Sequence, residues 1–180
     1  MASPNEKRSG LGARPQPRAN RRADLTRLWA PWRSTFLSQR GRRGCVFCIA
    51  KRSKSDRRHH VVARGDHAFA LLNRYPYNNG HLMIAPYRHV GRLEVLSEEE
   101  WAESLRLIKK LMKRLSRAVH PHGFNVGVNL GRVAGAGIPG HLHLHVVPRW
   151  NGDTNFMPLL GKTRVISQSL DELYNLLTAA

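Results

Sequence analysis

HLHLHVVPRW, residues 141–150, sets His141, His143 and His145 at alternate positions with leucines between them. In a β-strand successive side chains point to opposite faces. All three imidazoles would then share one face, and Leu142, Leu144 and Val146 the other. A lone histidine is usually a polar residue that has found a partner, whereas three in register make a working surface. Two kinds of chemistry compete for such a surface: metal ligation and attack on phosphorus.

Neighbouring segments supply a sheet around this strand. HAFALLN (67–73) and HLMIAPY (81–87) read as strands joined by RYPYNNG (74–80), whose Pro and Asn-Asn-Gly are turn signals. FNVGVNL (124–130) alternates Phe124, Val126, Val128 and Leu130 against Asn125, Gly127 and Asn129, the pattern of a further strand. The Gly-rich loop GRVAGAGIPG (131–140) then leads into the histidines. Between the strand pairs, Ser97 followed by Glu100 predicts a capping box and a helix start. Trp101, Leu105, Ile108, Met112 and Leu115 step by three or four to form its apolar stripe, for a core or a dimer interface, and HPHG (120–123) stops it. SLDELYNLLTAA (169–180) reads as a C-terminal helix. Strands, helix, strands, helix is the order of an α+β domain with an antiparallel sheet.

The 180 residues carry a net charge of +18, unevenly spread. Residues 1–64 hold 17 Lys and Arg against three Asp and Glu, and the remainder holds 13 against nine. Residues 1–24 are rich in Pro, Gly, Arg and Asn and too poor in apolar side chains to build a core, so they are expected to form a disordered basic tail ahead of one domain at 25–180. Such an arm could contact nucleic acid or another polyanion through phosphate charge, or serve only as a solvated tail. LTRLWAPWRSTFL (25–37) carries aromatics too costly to leave in water, so it should dock on the domain or on a partner. No run of about 18 apolar residues offers a membrane span. The basic N-terminus has no apolar stretch of the kind a secretory signal needs, so a cytoplasmic location is expected.

Cys45 and Cys48, in CVFC, have the spacing that lets two thiolates grip one zinc at about 2.3 Å each. In a chain without an export signal, this reads as a metal or redox pair before a structural disulfide. One C-x-x-C is half a zinc site. Of the ten histidines, His89 (in PYRHV, at a strand end) and His141 are the candidates for the other half; the alternative is two reduced cysteines with no metal. For phosphorus, a neutral imidazole with a pKa near 6.5 is a good nucleophile at pH 7 and can form a covalent intermediate. Its other nitrogen must donate to a fixed acceptor, donors must meet the phosphoryl oxygens, and the leaving group needs a proton. His143 has a histidine on either side, and backbone N–H groups of loop 131–140 could meet a phosphate.

The pattern His-φ-His-φ-His-φ-φ (φ apolar), seen here as HLHLHVV, resembles the histidine-triad (HIT) family of nucleotide hydrolases and transferases. LLNRYPYNNGHLMIAPYRHV (71–90) is similar to the family's first hairpin, and residues 123–157 to its active-site half. CVFC, LWAPWR and the PRW-GD-NF pieces resemble the bacterial branch that acts on diadenosine polyphosphates. The resemblance implies a HIT-like fold: a five-stranded antiparallel sheet, a long helix and a C-terminal helix. It implies His143 as nucleophile on an α-phosphorus, His145 as orienting and phosphate-binding, and His81 as support. It further implies Asn73 on the ribose, Leu71 and Met83 flanking the base, and Asn129 near the phosphate. Gly137 and Trp150 complete the candidate nucleotide site. A structural zinc would sit on Cys45, Cys48, His89 and His141, with no catalytic metal, and the protein would be a homodimer.

One departure stands out. Many relatives carry Ser, Thr or Gln just before the triad, while residues 135–140 here are Gly-Ala-Gly-Ile-Pro-Gly. Backbone N–H groups or Asn129 must substitute, which leaves the leaving group open. Sugar-1-phosphate transferases use His-Pro-His, which this chain lacks. The expected activity is cleavage of adenine dinucleotides, diadenosine tetraphosphate above all, through a covalent AMP–histidine. The alternatives are a hydrolase of AMP-amine or adenylylated nucleic-acid ends, and a nucleotide- or nucleic-acid-binding module with weak turnover.

Overall fold

A computed structural model describes residues 44–154 and 165–179. The basic tail, the LWAPWR segment and Asn155-Phe156 lie outside the described residues. Cys45 N-caps a short helix α1 (Val46–Arg52), and one further turn, α2 (Asp56–His59), leads to strand β1 (Val61–Arg64). The expected hairpin is present as β2 (Ala68–Leu72) and β3 (Leu82–Pro86). A long helix α3 (Glu98–Val119) follows, then β4 (Gly123–Val128), β5 (Leu144–Arg149) and a C-terminal helix α4 (Leu170–Thr178). The sheet order is β1-β2-β3-β5-β4, and every neighbouring pair is antiparallel.

Both faces of the sheet centre are covered. Ala68, Ala70, Leu72, Leu82, Ile84, Leu144 and Val146 pack against α3 and α4. Phe69, Leu71, Met83 and Ala85, one position out of phase, pack against Phe47 and Ala50 of α1. Strands buried on both faces need apolar residues at every position, which is why AFALL and LMIAP are unbroken runs. Strand β1 was not among the segments legible as strands. Its four residues follow a basic stretch, yet Val61 joins the α1-side cluster and Val62 the α3-side cluster.

Two expectations need correction. The final strand begins at Leu144, so His141 and His143 precede it. The chain turns there, with the His141 N–H donating to the Ile138 carbonyl at 3.2 Å. It also passes Gly91 so closely that a Cβ there would lie 2.4 Å from the Pro139 carbonyl oxygen. The second correction concerns α3. The capping box exists: Ser97 Oγ accepts from the Glu100 N–H, and Glu100 Oε2 accepts from the Ser97 N–H. The buried face, however, runs through Glu100, Glu103, Ser104, Leu107, Ile108, Leu111 and Leu115, leaving Trp101 and Leu105 37% and 47% exposed.

Carboxylates set that rotation. Glu103 accepts from the backbone N–H groups of Asp66, His67 and Ala68, closing the β1–β2 turn. Glu100 takes two bonds from Arg88, at 2.7 and 2.6 Å. A helix turned to bury Trp101 would carry both carboxylates away from their donors, and a buried carboxylate without partners is costly.

At the other end of the sheet, Asn78 Nδ2 donates to the Pro148 carbonyl at 3.2 Å and to Asp153 Oδ2 at 2.8 Å. Asp153 also receives Arg149 Nε and Nη2. This clasp fixes the Asn-Asn-Gly turn against the end of β5. Gly80 in that turn has φ +70, and a Cβ there would meet Leu115 at 2.9 Å. Strand β4 is the outer edge: Val126 is 47% exposed, and Leu130 just past it 45%.

Glu103→Gln is expected to cost about 1–3 kcal/mol in urea denaturation at pH 7. Gly65→Ala should cost a similar amount, because the added methyl would fall 2.4–2.7 Å from the Glu103 carboxyl, which its three donors keep from moving. Burial opposes ionisation of Glu103, but the backbone donors outweigh it and hold its carboxyl below the usual range. The Arg149 guanidinium pulls Asp153 from 3.8 down to about 2. Both folded values are depressed, so the stability they add is complete above the ordinary carboxylate range and is lost as pH falls through the folded values. Denaturation midpoints taken from pH 6 to pH 2.5 should therefore fall steeply for the wild type and less steeply for Glu103→Gln.

Candidate functional site

Four ligand-type atoms converge where α1, the end of β3 and the approach to β5 meet. Cys45 Sγ lies 3.3 Å from His141 Nδ1, and Cys48 Sγ lies 3.3 Å from His89 Nδ1 and 3.7 Å from His141 Nδ1. The two imidazole Nδ1 atoms are 3.2 Å apart, and all four atoms fall within 4.8 Å of one another. Tetrahedral zinc with ordinary bond lengths requires N–N edges of about 3.3 Å and S–N edges of about 3.6 Å. The donors fit that shape. His141 Nε2–H donates to the Pro86 carbonyl at 2.9 Å, so its proton lies away from the cluster and Nδ1 keeps its lone pair. The group could hold a metal ion through four protein atoms, a closed set with no position left for substrate.

The second centre begins at His143. Its Nδ1 lies 2.8 Å from the His141 carbonyl oxygen, which can only accept. The proton is therefore on Nδ1, and Nε2 carries the free lone pair. The ring is 5% exposed, and burial pushes its pKa down against the opposing effect of the His141 carbonyl, so it is neutral at pH 7. His145 lies beside it, ring centroids 4.9 Å apart.

A relay of donors fixes His145. The Tyr77 backbone N–H donates to His81 Nδ1 at 3.0 Å, and the Asn73 side-chain amide approaches the same nitrogen at 3.3 Å. His81 must then carry its proton on Nε2, which donates to His145 Nδ1 at 2.8 Å. His145 in turn carries its own proton on Nε2. Burial, then the proximity of His145 and His143, pushes the His81 pKa down to about 3, so the relay keeps its polarity at neutral pH.

Register assembles much of the remaining candidate set. Leu71, Met83, His145 and Gly127 form one row across β2, β3, β5 and β4. Directly opposed residues share a face, so Leu71 and Met83 lie on the histidine side, and Gly127 leaves open space beside His145. The β4–β5 register carried one pair beyond Val128 and Leu144 sets Asn129 level with His143. Asn73 stands beside His81, its Oδ1 accepting from the Tyr75 N–H. Gly137 belongs to loop 131–140, where the Gly135 and Ala136 N–H groups bond to Arg132 and Gly131 carbonyls within the loop. Trp150 is not brought to the histidines of its own chain. It follows the last residue of β5, and its indole N–H donates to the Val119 and His120 carbonyls that end α3.

Two residues of this region went unread in the sequence. Phe47, inside CVFC, packs on both His141 and His143. Tyr77 stacks on His81 at 4.6 Å and on His145 at 5.7 Å. The only sequence signals were an aromatic residue adjoining the candidate ligand Cys48 and another four positions before His81.

Comparison with known proteins places this geometry. Residues 54–152 match the HIT domain family. The chain is 43% identical over 164 residues to the AP-4-A phosphorylase of Mycobacterium tuberculosis, covering 87% of this chain and 84% of that protein. It is 34% identical over 107 residues to an adenosine 5'-monophosphoramidase of Schizosaccharomyces pombe, covering 59% of this chain and 75% of the relative. Among solved structures, a zinc-bound histidine triad family protein from Mycobacterium smegmatis superposes with a TM-score of 0.61 at 27% identity, over 76% of this chain and 91% of that one. With the triad motif, the five-stranded sheet and a family match across more than half its length, the chain belongs to the HIT domain family.

Proposed function

We propose that this enzyme is a nucleotidyl hydrolase or transferase that cleaves adenine dinucleotides, diadenosine tetraphosphate foremost, through a covalent AMP–histidine intermediate. The observation that carries the reading is the bond from His143 Nδ1–H to the His141 carbonyl, which leaves Nε2 as a neutral nucleophile. The relative known as an AP-4-A phosphorylase supports the substrate.

In the first step His143 Nε2 donates its electron pair to the α-phosphorus. The bond from that phosphorus to the bridging oxygen breaks, and ATP leaves with those electrons. His145 Nε2–H meets the charge growing on a phosphoryl oxygen, held in that tautomer by His81. In the second step an oxygen of inorganic phosphate or of water attacks the same phosphorus. The N–P bond breaks, returning its pair to Nε2, and ADP or AMP is released. Leu71 and Met83 flank the adenine, Asn73 meets the ribose and Asn129 the phosphate.

Cys45, Cys48, His89 and His141 would hold a zinc ion. When bound, it supplies a structural cross-link between α1, the end of β3 and the approach to β5. The partner would be a second copy of the chain, for which the exposed apolar side chains Val126 on edge strand β4 and Trp101 and Leu105 on α3 are the candidate contacts. The basic tail would serve polyanion contact. Among the described residues no helix is long and apolar enough to cross a membrane.

The decisive experiment is product analysis on diadenosine tetraphosphate, with and without inorganic phosphate. ADP plus ATP appearing only with phosphate identifies a phosphorylase, and AMP plus ATP in both conditions identifies a hydrolase. Turnover of AMP-amine or adenylylated nucleic acid alone would replace the dinucleotide reading. His143→Ala should lower kcat/KM by about four orders of magnitude or more. His81→Ala should lower kcat about a hundredfold by releasing the His145 tautomer. Elemental analysis is expected to find one zinc per chain. Cys48→Ala should lose it and lower Tm by several degrees, whereas a zinc-free wild type of unchanged Tm would mean two reduced cysteines.

A further inference from the structure

Of the two residues between the cysteines, Phe47 is buried yet used by neither the metal cluster nor the steps at phosphorus. In α1, Val46 is exposed while Phe47 is fully buried, turned toward the histidine face of the sheet. Its ring centroid lies 4.9 Å from His141 at an interplanar angle of 42° and 4.8 Å from His143 at 37°. One ring therefore touches a candidate metal ligand and the candidate nucleophile together.

His143 needs such a contact. Its bond to the His141 carbonyl fixes the tautomer, but one hydrogen bond leaves the ring free to rock about it. Among the described residues, the rings that meet His143 are Phe47 and His145. His145 is itself tied to His81. Phe47 has no hydrogen bond to hold it and depends on the placement of α1. That helix has seven residues and no side-chain N-cap bond, too short to stand by itself. What anchors it is the burial of Phe47 and Ala50, the bonds that Lys51 donates to the Tyr87 carbonyl and Arg64 to the Ala50 carbonyl, and the two cysteines at its start.

We propose that Phe47 is a positioning residue for His143, carrying the grip of the cysteine knuckle to the attacking imidazole. The knuckle fixes α1, α1 fixes the phenyl ring, and the ring fixes the plane of His143 so that Nε2 points where the phosphorus will be. A displacement of about 1 Å in such a geometry costs roughly a hundredfold in rate. The proposal rests on the reading of His143 as the nucleophile, and its test separates the two.

The test uses Phe47→Leu, which keeps an apolar side chain but no ring, and Phe47→Met as a second, more adaptable variant in case the first folds poorly. The control is Leu177→Ala, which loosens the core on the opposite face of the sheet. Each full-length protein is assayed for bound zinc, for kcat and KM on diadenosine tetraphosphate, and for the imidazole nitrogen spectrum of His143 at fixed pH. The expected result is retained zinc, KM within about threefold and kcat lower by ten- to a hundredfold in the Phe47 variants. Their His143 signals should be broadened or split between tautomers. Leu177→Ala should lower Tm at least as much while keeping kcat and a single sharp His143 tautomer. An unchanged kcat with a sharp His143 signal in the Phe47 variants would overturn the proposal, as would loss of zinc with His143 still ordered. If wild type fails to turn over the dinucleotide, the nitrogen spectra still decide the role of Phe47, and only the substrate reading falls.

Discussion

The hydrogen bond from His143 Nδ1 to the carbonyl of His141 belongs to a pattern on which the functional surface depends. Each neutral imidazole has one donor and one acceptor, and here the backbone decides which is which. The Pro86 carbonyl takes the Nε2 proton of His141 and turns its lone pair toward the cysteines. The His141 carbonyl takes the Nδ1 proton of His143 and leaves Nε2 open. The Tyr77 N–H does the reverse at His81, and the effect passes on to His145. Three histidines of one short motif thus acquire three different chemical characters. Main-chain groups do not titrate, so while the rings stay neutral the assignment does not depend on the protonation of a partner. Burial completes it by holding the pKa values of His81, His141 and His143 below that of a free imidazole.

The sheet makes the surface affordable by separating two tasks. One face, under α3 and α4, carries most of the apolar burial. The other, under α1, is a smaller cluster interrupted by histidines. Burying polar rings is costly unless their hydrogen bonds are met. It is tolerable here because the rings sit beside strands whose opposite face is already packed, and because strand and turn backbones supply their partners. The rotation of α3 serves the same end, since Glu103 and Glu100 bind the β1–β2 turn and Arg88, next to the candidate ligand His89.

Much of this was legible in the sequence. The Asn-Asn-Gly turn, the capping box at Ser97 and the alternation of β4 are local patterns with local causes, and they appear where read, whereas the alternating histidines mark the approach to a strand that starts only at Leu144. The Cys45, Cys48, His89 and His141 cluster was legible as a set, through spacing and resemblance, and its atoms converge. What escaped depends on partners distant in the chain. Strand β1 is four residues long and gains its identity from pairing with β2. The stripe through Trp101 and Leu105 has good helical spacing, but spacing cannot report that Glu103 will find three N–H donors more than 30 residues away. The contacts of Phe47 and Tyr77 are ring-on-ring meetings across the fold, and periodicity carries no record of them. Trp150 was attractive for its chemistry, while its place is set by two carbonyls left over at the end of a helix.

The clasp of Asn78, Arg149 and Asp153 has a consequence for how the molecule breathes. It joins two turns about 70 residues apart in the chain, and one of them leads directly into His81. Neither turn can open to solvent without breaking charged and amide bonds held by the other, so the two form one cooperative opening unit. Amide protons near Gly80 and Trp150 would then exchange with a common free energy of opening, set by the clasp. The histidine relay is hinged at the rim of that unit, so its lifetime in working order is governed from the far end of β5.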